Sequence, residues 1–133
     1  MKQIFFLLAV VVMSASCGTN RQRPDDAVET ARQFIRSSLD GDYDWARELL
    51  LKDSVNTYEL DLLEKKYKQE MSAADKEGFK KAQITVYTIE NVSDTVVVIN
   101  YENTYKKKRM PLKVVKQDDR WQVDLNYTFT GNL

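Results

Sequence analysis

The chain has a single cysteine, Cys17, and the question is what chemistry its thiol could do. A thiolate can act as a nucleophile or as a metal ligand. The 133 residues include no histidine, which excludes Cys–His and Ser–His–Asp catalytic arrangements and zinc or transition-metal sites built from Cys and His. A disulfide within the chain is excluded as well. What remains for Cys17 is either a free thiol or covalent modification of its own sulfur.

The segment before Cys17 has the pattern of an export signal. Lys2 is followed by ten apolar residues, 4–13, and then by the small residues Ser14-Ala15-Ser16. Ten residues rise only about 15 Å as a helix, about half of a bilayer core. We therefore predict that residues 1–16 are a signal peptide and not a transmembrane span.

Two fates of Cys17 are compatible with this pattern. An ordinary signal peptidase would release a secreted soluble protein with a free thiol. The stretch Ser14-Ala15-Ser16-Cys17 also resembles the bacterial lipobox, whose cysteine receives a diacylglycerol and becomes the mature N-terminus. Because a free thiol at an exported N-terminus would be a liability, we predict that Cys17 is lipidated. Two or more acyl chains, such as palmitate, then anchor the protein stably to a membrane.

Residues 17–24 are polar and lack hydrophobic periodicity, which predicts a tether between the lipid and a folded domain over residues 25–133. The first acidic residues, Asp25 and Asp26, follow two arginines and lie eight and nine residues beyond the cysteine. This arrangement is unlike the acidic signal that sends some lipoproteins to the cell exterior. We expect a cell-envelope protein that faces the periplasm.

The charge balance bears on possible partners. Lys plus Arg and Asp plus Glu both number 20, which argues against nucleic acid because phosphate binding requires an excess of basic charge. The strongest basic cluster, Lys106-Lys107-Lys108-Arg109, is typical of a solvated hairpin tip. No pattern in the sequence indicates a metal or a cofactor.

The aromatic residues offer a possible ligand pocket. Four of them in the strand-like half of the chain could line a site for a small apolar ligand, with hydroxyl groups to orient it: Tyr87, Tyr101, Trp121 and Tyr127. The other interpretation is that they fill the core of a small domain. Among the acids of this region, the alternation of side chains turns Glu102 and Asp124 away from the predicted interior, and Glu90 also lies there. We therefore predict no catalytic residues.

These residues must be positioned by helices and strands, and the first half of the chain has helical periodicity. Val28, Ala31, Phe34, Ile35 and Leu39 form one apolar stripe, which Gly41 ends. Asp42 caps a short second helix with Tyr43, Ala46, Leu49 and Leu50 inside. A third helix over 54–71 has Val55, Tyr58, Leu62, Leu63 and Tyr67 on one face, and Ser72–Asp75 caps a last helical turn that includes Phe79.

From Gln83 the period changes to two, which predicts strands. We predict strands over 84–89, 95–105, 110–116 and 121–129, with turns at 91–94, 106–109 and 117–120. Helices followed by a four-strand antiparallel meander in the order 1-2-3-4 make an α+β fold, with the helices packed on one face of a curved sheet.

Two stretches carry a resemblance to a known superfamily. The inter-helix turn Leu39-Asp40-Gly41-Asp42-Tyr43-Asp44-Trp45-Ala46 and the hairpin Asp119-Arg120-Trp121-Gln122-Val123 resemble the nuclear transport factor 2-like (cystatin-like) superfamily. In particular, they are similar to small bacterial lipoproteins classed under domain of unknown function 4878. The resemblance covers about residues 24 to 129 and implies a conical pocket between helices and sheet. Its members include isomerases, dehydratases and cyclases as well as ligand-binding and protein-binding domains.

The sequence thus predicts a membrane-anchored cell-envelope lipoprotein with a non-enzymatic binding or interaction module. A second copy of the chain or an envelope protein could be its partner. The alternatives are a small-molecule binder that uses the cone and an isomerase- or dehydratase-type enzyme.

Overall fold

We describe the fold from a computed structural model, which describes residues 21–130. The predicted signal peptide 1–16, the lipidation of Cys17 and the first part of the tether lie outside the described residues. The helices are α1 (Ala27–Asp40), α2 (Tyr43–Leu49), α3 (Ser54–Lys65), a π-helical turn (Lys66–Glu70), α4 (Ala73–Lys81) and α5 (Leu125–Thr130). The strands are β1 (Ile84–Ser93), β2 (Val96–Asn103), β3 (Met110–Gln117) and β4 (Arg120–Asp124). Within residues 21–130, no helix is long and apolar enough to cross a membrane.

Local capping sets the boundaries of α1. The carboxylate of Asp26 accepts a hydrogen bond from the N–H of Glu29 at 2.8 Å, as an N-cap residue does. At the other end, Gly41 adopts φ 78°, a left-handed conformation that glycine takes without steric cost. The N–H of Asp42 then closes the turn on the carbonyl of Ser37 at 2.8 Å. The predicted end of this helix at Gly41 is confirmed.

The third helix is rotated relative to the prediction. Val55, Tyr58 and Leu62 were expected to face inward, but their exposed fractions are 49%, 61% and 44%. Asn56 and Leu60 are buried instead. Hydrogen bonds of Asn56 explain this orientation of the helix. Its side chain donates to the carboxylate of Asp53 at 2.8 Å and accepts from the backbone N–H of Asn126 at 3.1 Å. This network turns the Asn56 face toward the rest of the domain.

The four strands form one antiparallel sheet in the order β1-β2-β3-β4, which confirms the predicted strand order and the α+β class. Ile99 pairs with Leu112, and Val114 pairs with Val123; all four are buried in the common core with α1 and α2. The first turn was predicted at 91–94, but β1 continues to Ser93. The hairpin therefore turns at residues 94 and 95.

The end of the fourth strand was predicted wrongly. Instead of a strand over 121–129, β4 stops at Asp124 and residues 125–130 form α5. The next positions on the neighbouring strand include Pro111, which has no N–H to extend a ladder of hydrogen bonds. The carbonyl of Pro111 instead accepts a hydrogen bond from the hydroxyl of Thr128 on α5 at 2.7 Å.

Two arginines just before α1 contact the domain. The guanidinium of Arg21 pairs with the carboxylate of Asp42 at 2.5 Å and lies 5.6 Å from the ring centroid of Trp45. Arg23 donates to the carbonyl of Glu48 and, at 3.4 Å, to the carbonyl of Trp121. The last residues of the predicted tether therefore lie against the helices and the end of the sheet.

Candidate functional site

A cavity of about 370 Å³ lies between the helices and the sheet. Pockets for small molecules are usually concave, mostly apolar and lined by a few convergent polar groups. Here α1 contributes Phe34, Ile35 and Leu39, the sheet contributes Tyr101 and Leu112, and the remaining apolar lining is Leu63, Met71, Phe79, Met110, Leu125 and Phe129. The volume is at the lower end of the range for ligand pockets.

The π-helical turn after α3 supplies part of this lining. The N–H of Met71 donates to the carbonyl of Lys66 at 3.0 Å, five residues back. Such wider turns occur mostly as short insertions and often lie at functional sites. In this chain, the turn contributes Lys66 and Tyr67 to the cavity wall.

Two tyrosines of the cavity wall have hydroxyls that are without a hydrogen-bond partner among the described residues. The exposed fractions of Tyr43 and Tyr101 are only 5% and 7%. Neither hydroxyl makes a hydrogen bond within residues 21–130, yet neither oxygen is sealed from solvent there. Buried polar groups almost always have partners, so these two are available to a water molecule or a ligand. The hydroxyl of Tyr67 donates weakly to the carbonyl of Asp40, at 3.4 Å.

Burial keeps these two tyrosines in their neutral form. Desolvation raises the pKa of Tyr101 to about 12. Desolvation, reinforced by Tyr67 and Glu64, raises the pKa of Tyr43 to about 12. Since a neutral phenol has one O–H to donate, both side chains can offer a proton to an acceptor in the cavity.

Three lysines complete the lining, namely Lys66, Lys106 and Lys108, and all three are exposed at the surface. The ammonium of Lys106 lies 3.6 Å from the carboxylate of Asp75 and 5.0 Å from the ring centroid of Tyr105. Within the part of the chain that the structure describes, Lys66 and Lys108 have no ion-pair partner, and no carboxylate lines the cavity. The rim of the cavity is therefore positively charged.

The acids considered from the sequence lie elsewhere. Glu102 accepts a hydrogen bond from the hydroxyl of Tyr87 at 2.8 Å, and neither residue lines the cavity. Asp124 is held by Lys113 at 3.5 Å and by the amide of Asn56 at 3.4 Å. Glu90 lies exposed on β1. Across residues 21–130, no cluster of acidic, cysteine and histidine side chains could hold a metal ion.

Of the four aromatic residues predicted to line a pocket, the structure brings Tyr101 to the cavity. The side chain of Tyr87 is 41% exposed, with the guanidinium carbon of Arg109 3.6 Å from its ring centroid. Trp121 packs at the edge of the core, near Arg23. Tyr127 lies on α5, with the ammonium of Lys113 5.6 Å from its ring centroid. These three do not line the cavity.

Sequence reasoning missed two tyrosines of the site. Tyr43 and Tyr67 were placed on the inner faces of their predicted helices, but as core residues. In the structure their rings meet edge to face, with centroids 5.7 Å apart, at the wall of the cavity. Helical periodicity gave their direction, and only the three-dimensional packing shows the space left beside them.

A larger cleft of about 760 Å³ lies on the other side of α1, next to Arg21, Arg32 and Arg36. It is a less suitable site because its three arginines are matched by Glu29, Asp40 and Asp42 in the same lining. The guanidinium of Arg36 is also engaged within the protein, because it donates hydrogen bonds to the carbonyls of Phe79 and Ala82 at the end of α4. The apolar cavity is thus the candidate functional site.

Comparison of the chain with protein-family models, with curated proteins and with solved structures finds no match in any of the three.

Proposed function

We propose that this protein is a cell-envelope lipoprotein, anchored in a membrane through acylated Cys17, whose domain binds a small and largely apolar ligand. The domain is a nuclear transport factor 2-like (cystatin-like) cone, and the cavity between helices and sheet is its binding site. The protein faces the periplasm and acts as a binding module, without catalysis of its own.

The observation that carries this proposal is a largely apolar cavity lined by two buried tyrosines, whose hydroxyl oxygens stay open to solvent and make no hydrogen bond within residues 21–130. A filled core would pair or exclude such groups, because an unpaired buried hydroxyl is costly. Tyr43 and Tyr101 instead line a space of about 370 Å³ that residues 21–130 leave open. Apolar walls supply affinity by burial, and the two O–H groups would orient a ligand.

The chemistry of the lining favours binding over catalysis. Proton transfer in a pocket of this kind needs a positioned base whose pKa lies near the working pH. The described lining supplies tyrosines with a high pKa and exposed lysines, whereas the described carboxylates nearest the sheet are held outside it by Lys113 and Tyr87. These groups donate hydrogen bonds and carry positive charge, which suits recognition.

Native mass spectrometry of the protein isolated from its own membrane tests the whole proposal. We expect a mass increase of diacylglycerol, with or without a third acyl chain, on the peptide that begins with Cys17, and a co-purifying small molecule. A Cys17→Ser variant should lose the acyl mass and leave the membrane fraction. An unacylated parent that fractionates like Cys17→Ser would refute the anchor.

The binding part has its own control. Ser38 lines the cavity from α1, so Ser38→Trp should fill the space and remove the co-purifying molecule. Ile89→Trp places the same indole on an exposed position of β1, where the native side chain is 50% exposed, and should retain the molecule. Equal retention by both variants would refute the cavity as the binding site.

A protein partner or a homodimer is the second candidate function. The edge strand β1 carries exposed apolar side chains, with Ile89 50% and Val92 57% exposed, and edge strands are ready to pair with another chain. Sedimentation of the detergent-solubilised protein tests it: a dimer that Ile89→Lys converts to monomer supports this function, and a monomeric parent argues against a homodimer.

A further inference from the structure

The positive rim of the cavity carries information about the ligand. Lys66 and Lys108 are not engaged in ion pairs within residues 21–130, while Lys106 is shared with Asp75. The other salt bridges near this end of the domain are formed away from the cavity, as between Lys68 and Glu64. Two lysines without an ion-pair partner among the described residues thus contribute to the lining of an apolar space that has no acid in its described lining. This charge is complementary to an anion and unfavourable for a cation.

The cavity lining also offers hydrogen-bond donors to a ligand, whereas its amide acceptor is already engaged. The hydroxyls of Tyr43 and Tyr101 stay protonated, so each can donate a hydrogen bond to an oxygen of the ligand. The amide of Asn103 also lines the cavity, but its oxygen already accepts from the N–H groups of Tyr105 and Lys106 at 3.1 Å and 2.9 Å. The polar groups therefore suit a ligand that accepts hydrogen bonds.

The volume limits the size of the apolar part. A water-sized group occupies about 30 Å³ in a liquid, so a cavity of about 370 Å³ holds about a dozen non-hydrogen atoms. A carboxylic acid with about ten carbons has this size.

We infer that the ligand is an apolar monocarboxylate of this length, a medium-chain fatty acid or a compound of the same chemistry. Its carboxylate accepts hydrogen bonds from the hydroxyls of Tyr43 and Tyr101 and is attracted by the positive charge of Lys66 and Lys108, and its hydrocarbon part lies along the apolar lining. The inference rests on the proposed function, since it names the ligand class of the same cavity.

Photoreactive decanoate and photoreactive decanol, each with a diazirine in the chain, test the inference. The two probes share the hydrocarbon part and differ in charge. The full chain is held in nanodiscs of phosphatidylcholine, and labelled peptides are mapped by mass spectrometry, so that partition into the bilayer is not counted as binding. The apparent dissociation constant is taken from the concentration dependence of labelling at the cavity residues.

A double variant, Lys66→Gln with Lys108→Gln, removes both charges from the rim. The matched control, Lys65→Gln with Lys107→Gln, has the same net charge, with each change one residue away from the cavity lining. Exposed ion pairs are individually weak, so we expect the rim variant to weaken decanoate labelling about three- to ten-fold. Decanol labelling and the control variant should be unchanged, and added salt should weaken decanoate alone.

The outcomes separate this inference from the proposed function. If decanoate and decanol label the cavity equally in all variants, the carboxylate assignment is refuted while a cavity for apolar ligands stands. If both pairs of substitutions weaken decanoate equally, the charge acts over the whole surface and the rim lysines are refuted as the anion site. If neither probe labels the cavity residues, the proposed function fails, and this inference fails with it.

Discussion

The two buried tyrosines should make the protein unusually sensitive to alkaline pH. The pKa of both Tyr43 and Tyr101 is raised from 10.0 to about 12 in the folded state, chiefly because burial disfavours the phenolate. A group whose pKa is raised by folding stabilises the folded state fully below its unfolded pKa. That stabilisation is lost as the pH rises through the folded pKa. The window of loss therefore runs from about pH 10 to about pH 12.

The magnitude follows from the shift. At about pH 11, one unit above the unfolded pKa, each tyrosine should lower the free energy of unfolding by about 1.4 kcal/mol, or about 3 kcal/mol for the pair. Urea unfolding of the full chain, followed by circular dichroism at about pH 9 and about pH 11, measures the loss. We compare the parent with Tyr43→Phe/Tyr101→Phe, because lysine titration and the other tyrosines affect both proteins alike.

The expected result is a loss of stability that is about 3 kcal/mol larger in the parent than in the double variant. Tyr58→Phe, at a position that is 61% exposed, controls for the removal of a phenol and should behave like the parent. At neutral pH the double variant should be at least as stable as the parent, because the hydroxyls that it removes have no partner within the described residues. An equal alkaline loss in parent and double variant would refute the reasoning about this cavity wall.

Three further substitutions test the framework around the site by urea unfolding at neutral pH. Asn56→Ala should cost about 2 kcal/mol, because it leaves the backbone N–H of Asn126 without its acceptor; a loss below about 0.5 kcal/mol would contradict the assigned network. Gly41→Ala should cost about 1 to 2 kcal/mol from its left-handed backbone, and it should also alter ligand binding, since the new Cβ would lie 2.4 Å from the ring of Tyr67. Arg36→Gln should cost about 1 to 2 kcal/mol by removing charged hydrogen bonds to the last carbonyls of α4, and faster amide exchange throughout α1 but not α4 would argue against this role.

Short-range signals explain what could be predicted from the sequence. The cap formed by Asp26, the left-handed Gly41 and the cap formed by Asp42 act within four residues, so α1 and α2 could be located from the sequence. Strands β2 and β3 were also placed within two residues, because β2 is a run rich in β-branched residues with Val97, Ile99 and Tyr101 on one face, and β3 lies between two turns that the sequence marks.

The errors have long-range causes. The face of α3 depends on Asn56, whose partners Asp124 and Asn126 lie about seventy residues away, so helical periodicity alone favoured the wrong stripe. The helical end of the chain has a clear strand-like alternation, which is overridden at Pro111 on the neighbouring strand.

The cavity also could not be predicted from the sequence, because it depends on long-range packing. Its walls come from all five α-helices, the π-helical turn and the two strands β2 and β3, and empty space left between elements has no signature in the order of residues. A tyrosine that fills a core and a tyrosine that borders a cavity both occur at the inward-facing positions of the sequence periodicity, so the pattern does not distinguish them. The sequence therefore indicated that Tyr101 faces inward, whereas only the packed structure shows that its hydroxyl makes no hydrogen bond with the rest of residues 21–130.

If Cys17 carries the proposed lipid, the contacts of Arg21 with the domain limit how far the domain can lie from the bilayer. Four peptide units separate Cys17 from Arg21, the first residue that the structure describes, and they span at most about 14 Å. The radius of gyration of a domain of this size is about 13 Å. The maximum length of the tether is therefore about equal to the radius of the domain. The domain would then stay close to the lipid headgroups, with the turn between α1 and α2 facing the membrane. It could change its orientation but could not move far from the surface.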